Sequence, residues 1–145
     1  MKAKAKSMRS PLAEVRGLGS ARHGTQHWWL QRLTALALIP LSIYVVATFF
    51  VEVVYGGHEG AVEWLSSPFA AVLTILFLGV GFHHAANGVQ VVIEDYVHGE
   101  ARKIAGIVTV KFFAVMLALL GSLAVIKVLF FAIIAMMMPH AAFPQ

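Results

Sequence analysis

From Phe69 to Ile93, twenty-five consecutive residues contain no Asp, Glu, Lys or Arg. At 1.5 Å per residue, about 20 apolar residues cross a hydrocarbon core about 30 Å thick, so this run can span a bilayer as one helix. A second run, from Leu33 to Val51, has nineteen uncharged residues and continues past Glu52 to Tyr55 and the Gly56-Gly57 break. A third starts at Ile104 and stays apolar as far as Met138, interrupted by Lys111 and Lys127. The chain is therefore expected to be an all-α integral membrane protein with three transmembrane helices, since helices satisfy their own backbone in lipid. The expected spans are about 33–55, 68–93 and 105–128, the last followed by an outer tail. Pro40 is expected to kink the first span and not to stop it, because neighbouring helices and hydroxyl side chains can satisfy the freed carbonyl. Trp28 and Trp29 are expected to anchor its start at the interface.

Composition agrees. The chain is 59% hydrophobic and 12% charged with mean hydropathy +0.80, against about 25% charged for a soluble domain. It has no cysteine, which excludes disulfides, thiolate metal sites and a cysteine nucleophile. The net charge of +4 does not indicate nucleic acid, because no polar, aromatic-studded surface surrounds the basic residues. Their placement follows membrane topology. Residues 1–32 form a polar arm with Lys2, Lys4, Lys6, Arg9, Arg16, Arg22 and Arg32 against the single acid Glu14. The arm is expected to be extended or partly disordered, and retained, since no short apolar core with a cleavage site precedes residue 33. The turn from 94 to 111 adds Arg102, Lys103 and Lys111, whereas the polar link at 56–68 and the tail after Val128 have no Lys or Arg. Positive segments stay inside, so the arm and the second turn are expected on the cytoplasmic or matrix side and the C-terminus opposite.

The chemistry concentrates in the second span, which holds His83, His84, Asn87 and Gln90 and ends in Glu94-Asp95-Tyr96. An imidazole in hydrocarbon faces protein, a cofactor or water. Adjacent histidines point 100° apart, so one is expected as a ligand and the other as a packing or hydrogen-bonding residue. Helical spacing puts His84, Gly88, Val91 and Asp95 on one face and His83, Asn87, Gln90 and Glu94 on the next. Gly88, one turn from His84, would let a flat macrocycle approach. Neutral imidazole is an axial ligand for haem iron, and zinc or copper would need further ligands that are not clustered here. Arg32 either snorkels to headgroups or pairs with an anionic group such as a haem propionate. Lys111 and Lys127 read as boundary charges. Tyr96 can donate a hydrogen bond to a quinone carbonyl, with Asp95 beside it to orient a partner or assist proton delivery.

The stretches PLAEVRGLGSA (from Pro11), HWWLQRLTA (from His27) and, above all, HAANGVQVVIEDYVHGE (from His84) resemble the D-type membrane-anchor subunit of succinate dehydrogenase, of the alphaproteobacterial and mitochondrial-like kind. The most specific element is a histidine, ten residues, then Asp-Tyr, a register that only His84 fits. The resemblance implies that His84 is an axial ligand of a haem b shared with a larger cytochrome b-type anchor subunit. It implies Arg32 near the haem propionates, Tyr96 bonded to ubiquinone and Asp95 lining the same region. It further implies partnership with an iron–sulfur subunit and a flavoprotein subunit, which carry the clusters and FAD. The location implied is a bacterial inner membrane, or the mitochondrial inner membrane in a eukaryote. A fumarate reductase anchor and a haem-free structural or assembly protein are the alternatives.

Overall fold

The computed structural model describes residues 10–16 and 24–137. Residues 1–9 and 17–23, much of the expected arm, lie outside the described residues. The described chain is all-α. A short helix α1 spans Pro11–Val15, α2 spans Gly24–Thr48 and passes through Pro40, and a π-helical segment follows at Phe49–Tyr55. Helices α3 (Gly57–Ser66), α4 (Pro68–Tyr96) and α5 (Glu100–Met137) complete it. Three stretches are long and apolar enough to cross a membrane: Thr25–Tyr55, Pro68–Tyr96 and Glu100–Met137.

Their limits differ from the spans expected above. Helix α2 starts at Gly24, so Gln26 to Arg32 are helical and not part of an extended arm. The link at 56–68 is mostly helix α3. Helix α5 runs through residue 128 without interruption, because 104–137 contains no proline and helix growth follows backbone hydrogen bonding, not the membrane edge. Its 38 residues make it about 57 Å long, so it tilts in or projects from a core about 30 Å thick.

Helix α4 lies between α2 and α5 and packs on both. Leu38 of α2 faces Gly81 of α4, while Ile93 and Leu78 of α4 face Gly106 and Gly121 of α5, so each neighbouring pair is antiparallel. The buried residues, among those described, are Val45, Ala70, Ala71, Thr74, Ala86, Asn87 and Val125. These are small or modest side chains, which let helix backbones come close where lipid gives no hydrophobic drive for association. The larger apolar side chains face outward: Leu36, Ile43 and Phe112 are each about two-thirds exposed. Such surfaces suit acyl chains or a partner helix and not water.

Between the π-helical segment and α3 the chain turns through Gly57, whose φ of +64° is a left-handed conformation open to glycine. Gly60 then packs so closely on the Glu52 carbonyl oxygen that a Cβ there would collide with it. The π-helical turn presents that carbonyl. Gly60→Ala is therefore expected to destabilise the packing of α3 by about 1–3 kcal/mol, read as a lower midpoint in thermal unfolding of the detergent-solubilised complex; an unchanged midpoint would show that the Glu52 backbone yields easily.

Candidate functional site

His84 lies sixteen residues from Pro68 and twelve from Tyr96, or about 24 Å and 18 Å from the two ends of α4. It is thus near mid-span. Its side chain turns toward α2, where Nδ1 lies 3.0 Å from the Thr34 hydroxyl. The His84 backbone carbonyl accepts a long hydrogen bond, 3.4 Å, from Nε2 of Gln31. One turn along, Gly88 also faces Gln31, since a Cβ on Gly88 would come within 3.7 Å of Gln31 Nε2. The glycine expected to admit a macrocycle therefore lies against a side chain of α2. His84 Nε2 makes no hydrogen bond among the described residues.

His83 is on a different side of α4. Its Nε2 is 2.9 Å from the Asn87 amide nitrogen one turn later, and because that amide can only donate, Nε2 acts as the acceptor. His83, Asn87, Phe82 and Gly79 form one wall of a cleft of about 370 Å³, and Lys111, Ala114 and Ala118 of α5 form the other. Lys111 is thus brought beside an intramembrane histidine, further inside than a boundary charge. Lys127 lines another cleft, with Val62 and Ser66 of α3 and Phe131 of α5, at the opposite end of the bundle.

Arg32 is exposed, and its guanidinium carbon lies 4.2 Å above the centre of the Trp28 ring. Because Thr34 touches His84, Arg32 sits only about 3 Å from the His84 level along α2. It is deeper than the boundary that the sequence suggests. Its long side chain leans toward the N-terminus of α2, as helical side chains do, and stacks on the indole as a cation–π pair. Trp28 and Trp29 meet edge to face at 5.2 Å.

Asp95 and Tyr96 close the far end of α4, and Tyr96 is 76% exposed. The structure therefore groups His84, Thr34, Gln31 and the level of Arg32 on one side, and sets Asp95-Tyr96 apart. Beyond Tyr96, Val97 is extended and Gly99 has φ +115°, which turns the chain into α5. Among the described residues no three His, Asp or Glu side chains converge as a metal site would need.

Two residues were missed in the sequence, Gln31 and Thr34. Their signal is visible in retrospect: His27, Gln31 and Thr34 recur at helical spacing and form a polar stripe on an otherwise apolar helix. Buried His27 Nε2 and Gln31 Oε1 lack partners on that stripe, so the seam between α2 and α4 is polar toward the basic end of the bundle.

These features define a multi-pass helical membrane protein with an imidazole near the middle of its central span and a polar pair at one end. Comparison with known proteins places it more narrowly. The family model for the succinate dehydrogenase/fumarate reductase transmembrane subunit matches residues 6–123. The chain is 38% identical over 119 residues to the succinate dehydrogenase hydrophobic membrane anchor subunit of Paracoccus denitrificans, covering 79% of this chain and 89% of the relative. It is 29% identical to the subunit of that name from Rickettsia bellii, over 74% of this chain and 86% of the relative. It is also 29% identical to the succinate dehydrogenase membrane anchor subunit of Reclinomonas americana, over 65% and 80%. No solved structure matches. The chain belongs to the succinate dehydrogenase/fumarate reductase transmembrane subunit family.

Proposed function

We propose that this chain is the small membrane anchor of a succinate:quinone oxidoreductase, holding the iron–sulfur and flavoprotein subunits against the cytoplasmic or matrix face of an inner membrane. It shares a haem b with a larger anchor subunit, and electrons from succinate reach ubiquinone beside it. The carrying observation is His84, a mid-span imidazole with Nδ1 engaged by Thr34 and Nε2 without a partner among the described residues. A haem there supplies one-electron storage and transfer between redox partners. His84 would hold its iron through Nε2, and Arg32, exposed at nearly the same level, would offer a cation to a propionate. His83 fits less well, because Asn87 already occupies its Nε2.

Tyr96 and Asp95 serve the quinone. At about 18 Å along α4 from His84, Tyr96 is too far to serve the same group. Its exposed phenol donates to a quinone carbonyl and stabilises the charge that develops there, while Asp95 lines the pocket that the iron–sulfur subunit completes. The chain has no cysteine for a cluster, so the clusters and FAD belong to the partners and succinate is not oxidised by this chain alone. The family description covers both succinate dehydrogenase and fumarate reductase, and quinone potential sets the direction. Ten Lys and Arg in the arm and the 94–111 turn, against none in the outer link and tail, support an inner N-terminus.

Three measurements test this. A cysteine at the exposed His58 position should react with a membrane-impermeant maleimide from the outer side, and labelling from the inner side alone would invert the topology. His84→Ala should abolish or strongly alter the haem b difference spectrum of the purified complex, and His83→Ala should leave axial coordination intact; a complex with no haem signal at all would leave a purely structural anchor. Tyr96→Phe should keep haem and assembly while lowering succinate-dependent quinone reduction about 10- to 100-fold, and a wild-type rate across a full quinone titration would make Tyr96 an interfacial anchor only.

A further inference from the structure

The Thr34 hydroxyl has one proton and two acceptor lone pairs. It lies 2.8 Å from the Leu30 carbonyl oxygen one turn earlier, 3.1 Å from that of Gln31, and 3.0 Å from His84 Nδ1. Both carbonyls only accept, and the shorter contact, to Leu30, takes the proton. The hydroxyl oxygen is then the acceptor in the contact with His84, so the proton between them sits on Nδ1. A neutral imidazole protonated at Nδ1 has its lone pair at Nε2.

We propose that Thr34 is the positioning residue for His84: by accepting the Nδ1–H bond it fixes the ring's tautomer and orientation and presents Nε2 to a metal centre. The inference rests on the reading of His84 as haem ligand. It adds a role for a residue of α2 that touches no iron. A histidine ligand whose far N–H is held by an oxygen becomes a stronger electron donor, which favours ferric iron and tighter binding. The Gln31 amide, reaching the His84 carbonyl, supports the register of α2 that the bond requires.

Thr34→Val keeps the shape of the side chain and removes the acceptor, whereas Thr34→Ser keeps the hydroxyl. In the complete purified complex, Thr34→Val should weaken haem retention about 10- to 100-fold, raise the haem midpoint potential and change the low-spin ferric electron paramagnetic resonance signal. Thr34→Ser should restore all three. Thr34→Ala carries the same readouts where valine prevents assembly. An unchanged or lower midpoint potential with an unaltered resonance in Thr34→Val or Thr34→Ala overturns the inference. His84→Ala separates the two layers: a lost haem spectrum in His84→Ala beside a wild-type Thr34→Val defeats only the role of Thr34, whereas a wild-type spectrum in His84→Ala defeats the ligand reading and the inference with it.

Discussion

Hydrocarbon offers an imidazole nothing to bond to, so a polar side chain within the span turns to its own helix, a neighbouring helix, a bound group or water. His84 meets Thr34 across the α2–α4 seam, His83 meets Asn87 on its own helix, and Thr74 returns its proton to the Ala70 carbonyl. The first of these contacts joins elements fifty residues apart in sequence. It fixes which face of α2 meets α4, and with that the level of Arg32 and the outward direction of the residues that remain.

A hydrogen bond between membrane helices contributes only about 0.6 kcal/mol on average, so polar pairing sets register more than it sets stability. Cohesion comes from close packing. Ala70, Ala71 and Ala86 on α4 let the backbones approach, and Gly106 and Gly121 on α5 receive Ile93 and Leu78. The π-helical segment and the glycines that follow it then bring α3 against α4 and α5. The end of α4 that carries Asp95 and Tyr96 has no such cover from α3.

This division leaves two polar groups at different levels of one helix. The imidazole of His84 lies near mid-span, and at the far end of α4 the Tyr96 phenol and the Asp95 carboxylate are exposed among the described residues. About 18 Å along one rigid helix separates the two groups. An all-α framework suits this, because the mid-span and terminal side chains inherit their spacing from backbone hydrogen bonds that lipid cannot replace.

The long uncharged runs determined three membrane helices, because length and apolarity alone decide whether a segment can span a bilayer. Spacing along α4 likewise put His83 and His84 on different faces and Tyr96 a fixed distance from both, since helical periodicity is a local property. The limits of the helices were less legible. Gln26 to Arg32 are polar enough to read as an arm yet lie within α2, and residues 129–137 continue α5 where bilayer thickness suggested an end. Only the tertiary structure decided that Thr34 meets His84, that Gln31 covers Gly88, that Arg32 stacks on Trp28 within about 3 Å of the His84 level, and that Lys111 shares a cleft with His83. Those facts depend on how helices are rotated and slid against one another, a relation set by small residues at their seams and by pairings distant in sequence, and no periodicity within a single helix encodes it.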